Sequence, residues 1–321
     1  MNWNSLKSSF RRSFGRGAAR FVLPTVVLEI EPHFVAGARL DPSAHLLRRL
    51  SVHELEPSAV VSVPNGPNIA NAEALRLALR GVTEVIGNGT GRLGLLLPDG
   101  SVRVAILVFE TLPDDPKQAD ALVRWRMKEN LPYPPEEAKL SYQVLWNEPG
   151  DMGLMVLAAK ISLLAEYSEA LGLANGGPEL ILPASVALLP LVPETEGQGQ
   201  LLVHVCSGWV TTVVMKGRRL SFWRTKAVTG SAEDLAREVG FEVTRVMASC
   251  RDCLHVEPEK VWLCARPPAT PELGPALAGV ISKEVSYLSP GAKPATALSA
   301  AEQVAFESIG APVAGLISNG K

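Results

Sequence analysis

Cysteine is scarce in this chain: four residues in 321, at Cys206, Cys250, Cys253 and Cys264. That is too few and too scattered for a disulfide-stapled secreted fold. Cys250 and Cys253 make one C-x-x-C, but no second pair follows and none of the five histidines stands in a matching register, which argues against zinc. No thioredoxin-like βαβ pattern surrounds the pair, which argues against a redox dithiol. Residues 233–253 read instead as a helix, where i and i+3 simply share a face. Long apolar runs are missing too. None approaches the roughly 18 uninterrupted residues of a spanning helix, and the longest candidate, 180–192, is broken by Pro183 and Pro190. The start of the chain has no apolar signal-peptide core, because Lys7, Arg11, Arg12, Arg16 and Arg20 punctuate it. An intracellular protein is expected. With a net charge of −2, the whole-molecule field recruits neither nucleic acid nor an anionic membrane. Walker A, H-E-x-x-H and G-x-S-x-G motifs are all absent.

What is there is ordinary globular composition, 47% hydrophobic and 20% charged, long enough for two domains. Only residues 1–20 break the charge balance, with five basic residues and no acidic one. Trp3, Leu6, Phe10 and Phe14 in that leader follow the 3–4–4 spacing of an apolar helix face. A basic amphipathic helix of this kind lies on an anionic leaflet; the alternative is a solvated tail.

Along the chain, 22–30 and 34–40 read as a hairpin around a Glu-Pro turn, and 60–63 as a short strand. Residues 71–80 have helical spacing. Strands 92–97 and 102–109 flank Pro98-Asp99-Gly100-Ser101, a hairpin signal. An α-β-β-α block follows: helix 115–130, ended by Pro132, Pro134 and Pro135, strands 140–146 and 154–160, and helix 162–173. After a Glu-Gly-Gln-Gly-Gln linker at 196–200, three strands (201–206, 210–216, 220–225) precede the 233–253 helix. A strand at 260–265, a helix at 276–283, a strand near Val285 and a final helix from Ala300 complete the reading. Each half thus opens with strand, tight turn, strand.

That layout resembles the actin/sugar-kinase/chaperone ATPase fold. The run 121–138, Ala-Leu-Val-Arg-Trp-Arg-Met-Lys-Glu-Asn-Leu-Pro-Tyr-Pro-Pro-Glu-Glu-Ala, followed by Leu140-Ser141-Tyr142-Gln143-Val144-Leu145, is more specific. It resembles the helix, P-F-P-x-E-E-type turn and D-Y-Q-V-L-type strand of the type IV pilus assembly protein PilM family, relatives of the cytoplasmic part of the type II secretion protein GspL. Residues 235–251 and Pro312-Val313-Ala314-Gly315-Leu316 resemble later segments of that family. The resemblance implies an α/β, actin-like or ribonuclease H-like two-lobed fold with a small α/β subdomain inserted in the first lobe. It divides the chain into a basic tail (1–20), lobe 1 core (21–112), insert (113–174), a return to lobe 1 (175–197), lobe 2 (198–299) and a C-terminal helix (300–321) packing back on lobe 1.

ATPases of this fold clasp phosphates between two strand–turn–strand loops, which need glycine for close backbone approach and an aspartate for metal and water. Where the family's first loop reads D-I-G-S, this chain has Glu29-Ile30-Glu31-Pro32, and its usual lysine falls at Ala36. Glu31 puts a carboxylate where phosphate belongs, and Pro32 removes a backbone donor. Where the second loop reads D-I-G-A, the chain has His204-Val205-Cys206-Ser207, with Gly208 two positions late; the adenosine loop appears as Cys264-Ala265-Arg266-Pro267. One misplaced charge 4 Å from a phosphate costs about 4 kcal/mol at an effective dielectric near 20. No enzymatic activity and no cofactor are therefore expected, with ATP and magnesium bound only if the degenerate cleft still accepts them; a nucleotide-binding ATPase is the alternative. Arg266 could still face an anion but reads first as a surface arginine, and His204 as a core or strand-end histidine with no recognisable carboxylate partner.

By resemblance, the expected function is that of a cytoplasmic scaffold of the pilus inner-membrane platform, or of a type II secretion system. Its partners would be the N-terminal tail of a PilN-like membrane protein and the pilus motor ATPases, with peripheral inner-membrane contact through 1–20 and no nucleic acid. The tail groove is expected between lobe 1 and the insert, with Trp125, Leu131 and Tyr133 as apolar candidates, or as members of the insert's own core.

Overall fold

A computed structural model describes residues 23–318, apart from 42, 44, 88–90, 173–176, 196, 218, 229–231, 268, 270, 289 and 291–297. The basic leader predicted at 1–20 lies outside the described residues.

Strands β1 (Val26–Glu31) and β2 (Phe34–Asp41) form the expected hairpin, pairing Glu31 with Phe34 around Pro32 and His33. A third strand not anticipated from sequence, β3 (Leu46–Glu54), extends the meander. Helix α1 (Ala72–Ile86) starts at Asn71, whose side chain accepts from the Ala74 N–H. It buries Leu75, Ala78, Leu79, Val82 and Ile86, the one-sided stripe that helical spacing predicts. It crosses β2 at Gly37, where an added Cβ would sit 2.1 Å from Val82 Cγ1. Residues 60–63 make only an isolated bridge, Val60 to Ile69.

Strand β4 (Leu93–Leu97) pairs parallel to β1. The hairpin expected around Pro98-Asp99-Gly100-Ser101 does not form. Asp99–Ser101 is a 3-10 turn, after which β5 (Arg103–Phe109) leaves for a separate three-stranded sheet ordered β5-β7-β6. The reason lies in the run Leu93–Leu97: β4 is buried on both faces and already flanked by parallel neighbours, as a central strand of a parallel sheet requires. The sheet of the insert thus takes an edge strand from before residue 113.

Helix α2 (Pro116–Met127) covers one face of that sheet, capped by Asp115 with Pro116 in its first turn. Its Val123 and Met127 pack on Leu107, Phe109, Leu154 and Val156. Strands β6 (Ala138–Glu148) and β7 (Asp151–Lys160) complete the sheet, and helix α3 (Ile161–Ala170) leads back to β8 (Leu180–Pro183) at the edge of the first sheet. Helix α4 (Ala184–Leu188) follows, wholly buried.

The second lobe repeats the first. Strands β9 (Gly199–Cys206), β10 (Trp209–Lys216) and β11 (Arg219–Ala227) form a meander. Helix α5 (Ala232–Ser249), a π turn at Cys250–Leu254, β12 (Pro258–Ala265), α6 (Leu273–Ile281) and β13 (Val285–Tyr287) follow. The two five-stranded sheets have the same order, β3-β2-β1-β4-β8 and β11-β10-β9-β12-β13. Helices α7 (Ala300–Ile309) and α8 (Ala311–Ile317) return to the first lobe. There Glu302 Oε1 accepts from Leu50 N at 3.3 Å, and Gly315 lies so close to Ala187 O that a Cβ would be 1.8 Å away. One apolar core runs through all three parts, joining Val27, Leu96 and Leu182 to Leu202, Val213 and Cys264 and to Phe306 and Val313. No helix among the described residues is long and apolar enough to cross a membrane.

Candidate functional site

The matching turns at the ends of β1 and β9 face each other across the lobes. In the second, Ser207 (φ 50°) and Gly208 (φ 79°) are both left-handed, which suits a two-residue hairpin turn. Between them lies Arg266, which is not at the surface: its side chain is 1% exposed. The residue follows β12, and its backbone N–H donates to Val205 O at 2.9 Å. That short extension of the β9–β12 pairing swings the side chain inward.

The guanidinium donates from Nη1 to Glu29 Oε1 at 2.5 Å, from Nη2 to Glu31 Oε1 at 3.4 Å and from Nε to His204 Nε2 at 3.1 Å. Because Nε can only donate, Nε2 must accept, and the His204 proton sits on Nδ1. From there it reaches Asp99 Oδ2 at 2.8 Å. The same oxygen accepts from Thr211 Oγ1 at 2.7 Å, and Asp99 Oδ1 accepts from Ser185 N at 3.0 Å and Ser185 Oγ at 2.8 Å. His204 is a core histidine as expected, but it does have a carboxylate partner. Asp99 was invisible as such because it lies 105 positions away in a motif that reads as a turn.

Burial acts against every charge here, and the neighbours decide the outcome. Burial would raise Asp99, but His204, the Ser185 N–H and Thr211 hold it down at about 2. Glu31 goes the other way: burial pushes it up to about 8, reinforced by Glu29 and Asp99 and only partly opposed by Arg266. Burial would lower Arg266, yet Cys206, Glu29 and Glu31 raise it well above its ordinary value. Burial also raises the thiols, Cys264 to about 12 and Cys206 well upward, so neither is a ready nucleophile.

The structure therefore brings together Glu29, Glu31, His204, Cys206, Ser207 and Arg266. Ala36 packs behind them with Phe34, Cys206 and Ile309. Pro32 is half-buried, Gly208 exposed, and Cys264 turned into the interlobe core. Thr211, Ser185 and Trp209 belong to the same region and carried no sequence signal. Arg266 fills the space between the turns, held by Glu29, Glu31 and His204. Among the described residues no three His, Cys, Asp or Glu side chains are grouped to hold a metal ion.

A second feature lies between lobe 1 and the insert. Strands β6 and β8 are both sheet edges, and between them runs an apolar groove of about 320 Å³ walled by Leu140, Leu157, Ala159, Leu164, Leu180 and Leu182. None of Trp125, Leu131 and Tyr133 lines it. Trp125, 66% exposed, stands on α2, which packs on the opposite face of the sheet. Leu131 borders a polar cavity of about 570 Å³ between β5 and β11. Tyr133 is buried beneath Lys160, whose Nζ lies 5.7 Å from its ring centre.

This architecture is the actin-like ATPase fold, two lobes of matching topology with a subdomain inserted in the first. Among solved structures the chain is similar to one in a PilM–PilN type IV pilus biogenesis complex, with a TM-score of 0.75 at 18% identity over 92% of this chain and 98% of that one. It is also similar to a Bacteroides thetaiotaomicron protein of actin-like ATPase fold and unknown function, with a TM-score of 0.52 at 12% identity over 83% and 91%. At such identities the likeness is one of fold. No protein-family model and no curated protein sequence matches the chain.

Proposed function

We propose that this protein is a PilM-like scaffold of a type IV pilus assembly platform, working at the cytoplasmic face of the inner membrane without hydrolysing nucleotide. Its task is to grip the N-terminal tail of a PilN-like membrane protein. The observation that carries the reading is the apolar groove between β6 and β8, both sheet edges among the described residues. A strand edge on each side suits an extended segment, which pairs its main chain with an edge and sets alternate side chains on the leucines. The near-complete overlap with a chain of a PilM–PilN complex supports the same reading, and so does the 121–145 resemblance. Contact with pilus motor ATPases and with the membrane through 1–20 belongs to this proposal too. The filled cleft favours a scaffold over an ATPase.

Isothermal titration with the N-terminal peptide of a PilN-like protein encoded nearby tests it. Binding that is lost in Leu157→Asp, with the variant's melting curve intact, is the expected outcome. Absence of binding to wild-type protein, or equal binding to both, overturns it.

A further inference from the structure

The cleft between the two lobes is the place where an ATPase of this fold would clasp phosphates between its two turns. Here the cleft holds a group supplied by the chain itself. We infer that Arg266 is an interlobe tether standing in for a bridging ligand: carried by the second lobe, its guanidinium clasps Glu29 and Glu31 of the first. The inference stands apart from the pilus reading, since the tether can hold whether or not any tail binds the groove.

Three features support it. The first is direction: Arg266 follows β12, whereas Glu29 and Glu31 lie on β1, so the contacts at 2.5 and 3.4 Å cross from one lobe to the other. The second is orientation. Ser185 and Thr211 fix Asp99, Asp99 fixes the His204 ring, and His204 Nε2 receives Arg266 Nε. The fork is thus aimed by a chain of hydrogen bonds that itself crosses the lobes, from Ser185 and Asp99 of the first to His204 of the second. A planar, always-charged donor fits this role, and a lysine would not. The third is enclosure. Glu29 and Arg266 are each 1% exposed and Glu31 2%, and Phe34 covers the guanidinium at 5.7 Å. At such burial neither lobe tolerates losing its partner, because each would keep uncompensated charge.

The groups facing Arg266 are Glu29 and Glu31 from β1, His204 and Cys206 from β9 and, behind His204, Asp99. Nη1, Nη2 and Nε each donate to a protein group, so the guanidinium is held in place by both lobes. The lobes are accordingly held closed without any ligand, and the cleft has changed from a binding site into a fastener.

Arg266→Ala tests this by removing the guanidinium and leaving its socket. Its melting temperature is expected to fall by roughly 10 °C, and millimolar methylguanidinium should restore part of the loss while leaving wild type unmoved. Deuterium uptake at 29–31 and 204–206 should rise in the variant and fall again with methylguanidinium. A variant that melts with wild type, or that methylguanidinium does not rescue, overturns the tether. If Arg266→Ala does not fold, Arg266→Lys decides: it keeps the charge and loses the fork. Raised uptake at both strand ends supports the tether, and wild-type uptake overturns it.

Discussion

The indole of Trp209 lies flat against Gly100: a Cβ added to the glycine would sit 2.1 Å from Trp209 Cε2. The same indole donates from Nε1 to Ser62 O at 3.0 Å. A residue at the mouth of the second-lobe turn therefore closes over a turn of the first, beside the Arg266 cluster. Gly100 is required here because the ring needs the space a side chain would take. Gly100→Val should push the ring out and destabilise the fold by about 1–3 kcal/mol. Trp209→Ala in the same background should remove the clash, and a thermal double-mutant cycle would show it as strong coupling. Purely additive effects would count against the contact.

The cleft also sets how stability changes with pH. Asp99, held at about 2 against an ordinary 3.8, contributes stability above pH 4 that disappears as pH falls through 2. Glu31, raised from 4.5 to about 8, keeps a proton in the folded state that the unfolded chain gives up. Its contribution is therefore complete below pH 4.5, declines as pH rises, and is gone above 8. Glu31→Gln should gain on wild type across that window, by no more than about 1.4 kcal/mol per pH unit for one proton. Urea titrations of both proteins between pH 5 and 8 give the comparison; parallel curves would refute the protonated Glu31.

His204 is a positioning residue. His204→Leu strips Asp99 of one donor and Arg266 Nε of its only acceptor, an expected loss of about 2–3 kcal/mol in denaturant unfolding. His204→Gln, which can accept from one side, should recover part of it. Equal losses in both variants would mean that packing alone, and not hydrogen bonding, holds this position.

Trp125 offers a control for the groove. It is exposed on the far side of the insert's sheet from Leu157 and Leu164. Trp125→Ala should leave the affinity for the PilN-like peptide within about twofold, well under the 1.4 kcal/mol of a tenfold change. A tenfold loss by titration calorimetry would relocate the tail to the α2 face.

Much of the architecture was legible in local pattern. The stripe of α1, the proline stop after α2, the hairpins β1–β2 and β9–β10 and the departures at Glu31 and Cys206 all follow from neighbouring residues. The chain therefore carried its fold class and its duplicated plan in one dimension. What escaped was set by partners remote in sequence. Residues 93–109 looked like a hairpin because Pro-Asp-Gly-Ser turns usually close one, yet burial of β4 on both faces sends β5 to another sheet. Trp125 read as a groove candidate or a member of the insert's core; it stands exposed on α2, because nothing local says which face of a sheet a helix will cover. Arg266 looked like a surface arginine because a charge is buried only where opposite charge awaits it, and Glu29 stands 237 positions away. Local periodicity could write both halves of the cleft; only bringing the lobes together decided that they would close on an arginine.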